Sequence, residues 1–182
     1  MSKKSYTKTE YIVCMGLMFA SMMVLSLLEG VFSPILPPGV RIGLPNIAVL
    51  SAATLFSLPS ALILVILKAL FGLITRGFTA GLMSLCGGLL SFAAMALLIK
   101  AKEKSLIIIS VTGAVLHSLG QLCVSALITG TPAVLYYAPL MLIVASLSGT
   151  ATGMAARIII PSAQKILSKG ADAHPQDGKN IK

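Results

Sequence analysis

The sequence predicts an all-α integral membrane protein, a bundle of six transmembrane helices with both termini in the cytoplasm. The composition is 57% hydrophobic and only 10% charged, and the mean hydropathy is +0.97. A soluble domain of 182 residues could not cover that much apolar surface. Long apolar stretches fill most of the chain, and its lysines fall between alternate stretches. These observations make the bilayer the solvent of this protein.

The first helix is predicted over residues 11–28, after a polar tail of residues 1–10. A membrane-spanning helix needs about 20 mostly apolar residues. No small-residue cleavage site precedes Glu29, so we interpret this segment as a retained helix and not a signal peptide. Residues 31–45 are rich in proline and glycine. Proline removes a backbone donor and clashes with the preceding turn, so this stretch is predicted to be an ordered loop.

The next two helices are short, and they are predicted over residues 46–56 and 59–74. Pro59 suits the first turn of the second of these helices. The alternative is one long kinked segment, which would leave five spans. The remaining helices are predicted over residues 79–99, 106–128 and 134–160, with Pro161 ending the last one. The polar segment 161–182 is predicted to be a disordered cytoplasmic tail.

Charge distribution supports six spans and fixes their orientation. Six spans place one group of basic residues on one side: Lys3, Lys4, Lys8, Lys100, Lys102, Lys104, Lys165 and Lys169. Only Arg41 and Arg76 fall opposite. Cytoplasmic loops of membrane proteins carry an excess of Lys and Arg, so both termini should be cytoplasmic. The net charge of +9 then reflects topology and attraction to anionic lipid headgroups. Nucleic-acid binding is not expected, because no soluble basic domain carries these residues.

The motifs of most enzyme classes are absent from the sequence. Cys14, Cys86 and Cys123 lie in separate predicted helices and form no CxxC pair, so neither a metal site nor a redox motif is expected. There is no Walker A motif, and no aspartate cluster that could hold magnesium ions against a diphosphate. We therefore expect a non-enzymatic chain without its own cofactor. ATP-driven work would need a partner.

A few polar residues interrupt the predicted spans. Ionisable groups within a span are costly and usually face the protein interior or a cavity. Lys68 lies in the middle of its apolar segment; it either snorkels to the membrane surface or faces a cavity. His117 and Gln121 are four residues apart and share a helix face. His117 is either a hydrogen-bonded link between helices or a ligand-binding group.

The predicted topology places the candidate binding residues at similar depths. Lys68, His117 and Gln121 fall at mid-membrane or in the outer half, and six others fall near the outer ends: Glu29, Arg41, Asn46, Arg76, Tyr136 and Tyr137. Together they predict a pocket that opens outward beneath the proline-rich loop. Its excess of cations favours an anionic or phosphorylated ligand, and its apolar walls favour a greasy or aromatic portion. Lys68, Arg76 and His117 would hold the anionic group. Asn46 and Gln121 would supply hydrogen bonds, and Tyr136 or Tyr137 would cover the pocket.

Small residues four apart form two helix faces that would let neighbouring helices approach closely. Ala145, Gly149 and Gly153 form one face on the sixth helix, and we interpret it as internal packing. Gly16 and Ala20 form the other on the first helix. That face serves either internal packing or docking of a partner.

Two motifs carry a family resemblance. The segment from Gly39 to Leu50 (GVRIGLPNIAVL), and Lys68 to Gly72 (KALFG) with the following Thr75-Arg76-Gly77, resemble the Gx transporter family. That family is also catalogued as heptaprenyl diphosphate synthase component I. The likeness covers residues 11–160.

The family is in turn similar to the substrate-binding S components of energy-coupling factor (ECF) transporters. The resemblance implies a six-helix protein of the bacterial cytoplasmic membrane, with a substrate pocket near the outer face capped by the loop after the first helix. It also implies docking on an ECF transmembrane subunit that works with two ATPases. Gly16 and Ala20 would form the docking face, and ATP would be used by the partner subunits.

Three functions follow as expectations. The leading one is a membrane substrate-capture subunit that binds a small, anionic ligand from the outside. The second is a non-catalytic accessory subunit of a prenyl diphosphate synthase, on the path to menaquinone. The third, also implied by the resemblance, is a membrane component of flavin-based extracellular electron transfer with a small extracytoplasmic partner.

Overall fold

The computed structural model of the protein describes residues 8–32 and 43–173, and all its regular elements there are helices. The helices are α1 (Lys8–Phe32), α2 (Asn46–Leu55), α3 (Leu58–Arg76), α4 (Phe78–Lys100), α5 (Leu106–Thr129) and α6 (Ala138–Ala173). A 3-10 helix, Pro132–Tyr137, precedes α6. The predicted all-α class is confirmed. Most of the predicted proline-rich loop, and Arg41 with it, lies outside the described residues.

Five of the described helices are long and apolar enough to cross a membrane, and α2 is the exception. With 10 residues, α2 is about 15 Å long at 1.5 Å per residue, half of a typical hydrocarbon core of about 30 Å. The prediction of six full spans is therefore not confirmed by length. The helix exists where it was expected, but it reaches only part of the way.

α1 and α3 run in the same direction, as two polar contacts between their corresponding ends show. The hydroxyls of Tyr11 and Ser60 are 2.9 Å apart near the start of both helices. Near the other end, Arg76 Nη2 donates to Ser26 Oγ over 3.1 Å. Since α3 starts at the same end of the bundle as α1, α2 must return the chain between them. α2 and α3 are therefore two separate helices that run in opposite directions, although only five of the described helices are long enough to be full spans.

The last four helices form an antiparallel series. Glycines at the α3–α4 contact pair in reverse order: Gly88 meets Val65, and Gly81 meets Leu73. The α4–α5 and α5–α6 contacts show the same reversal. As a result, the start of α1 and the end of α6 lie at one end of the bundle, together with the α4–α5 connection. That connection carries Lys102 and Lys104, so we call this the lysine-rich end.

Apolar side chains fill the interior and also cover the outside. The core includes Met22, Leu50 and Leu64, none more than 2% exposed. Yet Ile74 is 82% exposed and Leu127 is 81% exposed, as part of a long series of exposed large apolar residues. A soluble monomer rarely exposes such a continuous apolar surface. Together with the long apolar helices, it identifies a multi-pass membrane protein.

Local sequence explains where the helices begin and end. Ser57 caps α3 by accepting a hydrogen bond from Ser60 N, and Pro59 occupies its first turn. Ser105 caps α5 in the same way. Gly130 ends α5 with φ +62°, a left-handed conformation that favours glycine. Each of these signals lies within a few residues of a helix boundary that was predicted from the sequence.

The predicted end of the sixth helix is wrong, because α6 continues through Pro161 to Ala173. A proline inside a helix removes one backbone hydrogen bond, here the bond to the carbonyl of Arg157. Arg157 is exposed near the lysine-rich end, where water can satisfy that carbonyl. Residues 162–173 are therefore helical and not the disordered tail that was expected; residues 174–182 lie outside the described part.

Candidate functional site

Lys68 is buried in the middle of α3. Its side chain is 5% exposed, and Nζ donates a hydrogen bond to Asn46 Oδ1 over 2.7 Å. A snorkelling lysine would run along the outside of the bundle toward the headgroups. The ammonium of Lys68 instead points into the protein, at the first residue of α2. Lys68 and Asn46, two of the residues predicted to line one pocket, are thus in direct contact.

Glu29 joins the same region from α1. Its carboxylate is 6% exposed, and Oε1 accepts a hydrogen bond from the backbone N–H of Gly43 over 2.8 Å. Gly43 has φ +77°, which only glycine adopts easily. A Cβ there would lie 3.3 Å from Asn46 Nδ2 and 3.8 Å from Ser148 Oγ. We call Glu29, Gly43, Asn46, Lys68 and Ser148 the Lys68 cluster; it draws on α1, α2, α3 and α6.

The cluster is electrostatically unusual for a membrane interior. It buries one cationic and one anionic side chain, and each is held by a hydrogen bond of charge-assisted length, 2.7 Å and 2.8 Å. An ammonium has three N–H donors, of which one is directed at the Asn46 oxygen. Such a group can bind the oxygen of a carboxylate or phosphate more strongly than that of a neutral amide.

His117 and Gln121 share one face of α5, as predicted, and both are buried, at 4% and 1% exposed. They pack against Gly87 of α4. A Cβ at Gly87 would lie 2.9 Å from Gln121 Cγ and 3.1 Å from His117 Nδ1, so only glycine allows this approach. Gln121 Nε2 has no hydrogen-bond partner in the described part of the chain. The next residue of α4, Gly88, packs against Val65 of α3.

The other predicted binding residues lie nearer the surface. Arg76 is exposed, and its guanidinium reaches across to Ser26 of α1. Tyr136 and Tyr137 lie on the 3-10 helix and are 86% and 51% exposed. Neither tyrosine belongs to the Lys68 cluster, and their exposure gives no support to the prediction that one of them covers the pocket. Arg41 cannot be placed, since it lies outside the described residues.

Sequence reasoning missed two buried serines on α4. Ser84 is 1% exposed and Ser91 is 3% exposed, and neither Oγ has a hydrogen-bond partner among the described residues. They are seven residues apart and share a face with Gly87 and Gly88. A serine alone is a weak signal in an apolar helix. The combination of serine and glycine at positions i, i+3, i+4 and i+7 could have revealed this face.

The two predicted small-residue faces have different surroundings. A Cβ at Gly149 would lie 2.7 Å from Val111 Cα, and one at Gly153 would lie 2.7 Å from Ile107 Cα. The α6 face is thus confirmed as internal packing against α5. In contrast, Gly16 and Ala20 are exposed, and a Cβ at Gly16 would have nothing within 4 Å. Among the described residues, nothing packs against the Gly16 position of this α1 face.

An apolar cleft of about 170 Å³ lies between α3 and α4, and no residue of the Lys68 cluster lines it. Its walls are Ile66, Ala69, Leu70, Leu73, Phe78, Gly81, Leu82 and Leu85. These side chains could hold a hydrocarbon portion but supply no charge. In the segments that the structure describes, no three His, Cys, Asp or Glu side chains come together as a metal site would require.

Comparison with known proteins identifies the family. The family model described as heptaprenyl diphosphate synthase component I matches residues 18–159, which is well over half of the chain. No curated protein and no solved structure matches the chain. The matched range spans α2, α3, α4 and α5 in full, and it also includes the α1, loop and α6 residues of the Lys68 cluster. The chain belongs to the heptaprenyl diphosphate synthase component I family.

Proposed function

We propose that this chain is a membrane substrate-capture subunit, which binds a small anionic ligand from the extracytoplasmic side of a bacterial cytoplasmic membrane. It has no catalytic activity or cofactor of its own, and partner subunits of the ECF type hydrolyse ATP to drive release. The observation that carries this proposal is the buried Lys68, hydrogen-bonded to Asn46 at the start of α2. The ligand's anionic group would take the place of the Asn46 oxygen as acceptor.

The energetics favour a functional role for the charge. A lysine inside a membrane protein is costly, and replacing buried charges with apolar residues of similar size is often neutral or stabilising. A packing role alone therefore does not require an ammonium at residue 68. An ammonium held within reach of a carboxylate or phosphate does serve binding, because charge-assisted hydrogen bonds are about twice as strong as neutral ones.

The depth of Lys68 suggests the side from which the ligand enters. Lys68 is ten residues from Leu58, hence about 15 Å along α3 from the lysine-rich end, and about 12 Å from Arg76 at the opposite end. By the positive-inside rule we expect the lysine-rich end to face the cytoplasm. In that orientation both chain ends would be cytoplasmic, and Lys68 would lie slightly closer to the extracytoplasmic surface.

The exposed face of α1 supports docking on a partner. α1 is the least buried of the five long helices, and its Gly16–Ala20 face contacts nothing within 4 Å of the Gly16 Cβ position. Small residues let a helix of another subunit approach closely. Gly16→Leu should block such a contact without harming the isolated protein. Native electrophoresis of solubilised membranes would show whether a larger complex is lost.

The experiment that tests capture is extraction of small molecules from the detergent-purified protein, followed by mass spectrometry. The wild type should release a stoichiometric compound with a carboxylate or phosphate. Lys68→Ala should release little of it, while the matched variant Lys100→Ala, altered at an exposed lysine, should release as much as the wild type. Equal amounts from all three proteins would refute the site.

A second candidate function follows from the family description. The family description names a heptaprenyl diphosphate synthase component, so the second candidate is a non-catalytic membrane component of that synthesis. The resemblance noted from the sequence adds two contexts to this proposal, menaquinone synthesis and flavin-based extracellular electron transfer. Membranes of a strain lacking the chain would then form less heptaprenyl diphosphate. Restoration of that activity by Lys68→Ala as fully as by the wild type would favour this accessory role over capture. Unchanged synthase activity in the deletion strain would remove it.

A further inference from the structure

Two buried polar groups on neighbouring helices, one on α4 and one on α5, have an atom with no hydrogen-bond partner among the described residues. Ser84 on α4 and Gln121 on α5 are each 1% exposed. Neither Ser84 Oγ nor Gln121 Nε2 has a hydrogen-bond partner in the described parts of the chain. A buried polar group left unsatisfied costs about 1–3 kcal/mol. Both groups therefore have unused hydrogen-bonding capacity that a bound molecule could satisfy.

Both groups lie near the level of Lys68. A Cβ on Gly72 of α3 would lie 3.8 Å from Ser84 Cβ, and Gly72 is one helical turn from Lys68. Gln121 Cγ would lie 2.9 Å from a Cβ on Gly87, and Gly87 is one turn from Ser84. These spacings place Ser84 on α4 and Gln121 on α5 within about one helical turn of the depth of Lys68 on α3.

The chemistry of the two groups limits what they can bind. The amide nitrogen Nε2 of Gln121 only donates hydrogen bonds, and the hydroxyl of Ser84 can donate one. Their natural partner is an acceptor atom, such as a carbonyl oxygen or a ring nitrogen. Neither group carries a charge, so the acceptor need not be anionic.

We infer that Ser84 and Gln121 form a second subsite, which binds a neutral hydrogen-bond acceptor of the same ligand whose anionic group Lys68 binds. This inference rests on the proposed capture function and narrows its ligand. The compound is small and has two distinct polar ends, a carboxylate or phosphate at one end and a carbonyl- or ring-nitrogen-bearing group at the other. A simple fatty acid or an isoprenyl diphosphate lacks the second feature.

Ser91 provides a matched control on the same helix. It is also buried and without a hydrogen-bond partner among the described residues. However, it lies seven residues from Ser84, about 10 Å along α4 toward the lysine-rich end. Ser91 is therefore outside the inferred subsite.

The test is thiol labelling in a variant whose native cysteines are replaced by alanine. Ser84→Cys, Gln121→Cys and Ser91→Cys are each treated, in membranes, with 2-sulfonatoethyl methanethiosulfonate, a small anionic reagent. The subsite predicts that cysteine at position 84 or 121 reacts several-fold faster than at position 91, because a polar path leads there. It also predicts that adding Lys68→Met slows this reaction, because the sulfonate loses its cation.

The outcomes separate the subsite from the capture function. Equal, slow labelling at all three positions would overturn the subsite, even if the wild type still carries an anionic compound on Lys68. Fast labelling at positions 84 and 121 that does not change with Lys68→Met would uphold a polar space there. However, it would show that Lys68 does not attract an anion into that space. The inference that one ligand binds both Lys68 and the subsite would then be wrong. Two test positions guard against one cysteine variant failing to fold.

Discussion

The side chains of Lys68 and Asn46 meet through a 2.7 Å hydrogen bond because α2 is too short to cross the membrane. Its 10 residues extend about 15 Å from the turn that joins it to α3. Asn46, the first residue of α2, therefore lies inside the bundle at the depth of Lys68. A full-length second helix would carry its polar first turn to the membrane surface. Because α2 is short, its polar first residue lies next to the buried ammonium of Lys68.

Substitutions of Asn46 should separate stability from binding. Asn46→Asp places a carboxylate against the ammonium, so the protein should unfold at a higher temperature while losing its bound compound, because the ion pair competes with the ligand. Asn46→Leu removes the acceptor and should lower the free energy of unfolding by about 1–3 kcal/mol. Thermal unfolding in detergent and mass spectrometry of released compounds check both effects. An Asn46→Asp protein that keeps its compound would argue against the proposed exchange of acceptors.

Glu29→Gln should weaken the link between α1 and the start of α2. The neutral amide accepts a weaker hydrogen bond from Gly43 N, so we expect a loss of about 1 kcal/mol in stability and reduced retention of the bound compound. Glu103→Gln is the matched control, since Glu103 also accepts a backbone N–H at 2.8 Å, from Ser105 at the lysine-rich end. Its change should affect stability alone. A similar loss of compound in both variants would mean that Glu29 has no specific role.

The α4–α5 contact should be sensitive to a single methyl group. A Cβ at Gly120 would lie 2.8 Å from Leu90 Cδ1 and 2.9 Å from Gly87 Cα. Gly120→Ala should therefore push the helices apart and lower the free energy of unfolding by about 1–3 kcal/mol. Gly16→Ala, where nothing lies within 4 Å, should be neutral or slightly stabilising. Thermal unfolding of the two purified variants measures this difference. Similar unfolding temperatures for both would contradict the close packing of α4 against α5.

The orientation in the membrane can be measured with a membrane-impermeant thiol reagent on intact cells. Tyr136→Cys and Lys102→Cys, each in the variant without native cysteines, occupy exposed positions at opposite ends of the bundle. The positive-inside rule predicts that only the cysteine at position 136 reacts. Reaction at position 102 alone would reverse the proposed direction of ligand entry.

The positions of most helices could be predicted from the sequence, because the length of an apolar stretch and the residues that begin or end a helix are local properties. Pro59, Ser105 and Gly130 mark boundaries in the sequence and also in the structure. The prediction that the sixth helix ends at Pro161 was wrong. Pro161 lies at the lysine-rich end, where water can replace the lost hydrogen bond and the helix can continue. The short second helix was predicted over residues 46–56, within one residue of the observed α2. Its contact with Lys68 could not be predicted in the same way, because the two residues that meet are 22 positions apart in the sequence.

The candidate site was predicted in part. Burial of Lys68 and the shared face of His117 and Gln121 follow from the cost of polar groups in hydrocarbon and from helical periodicity. The contact between Glu29 and Gly43 depends on tertiary packing, which the sequence does not encode locally. Ser84 escaped notice because a lone serine is common in membrane helices; only its orphaned hydroxyl, seen in the folded bundle, distinguishes it.

Native mass spectrometry of the intact protein tests the central claim most directly. Wild type, Lys68→Ala and Lys100→Ala would be purified in parallel and sprayed from detergent under conditions that preserve bound compounds. The account predicts one small adduct of constant mass on the wild type and on Lys100→Ala, and its loss from Lys68→Ala, which should remain folded. The same adduct on Lys68→Ala at wild-type occupancy would contradict the assignment of Lys68 as the anion-binding residue.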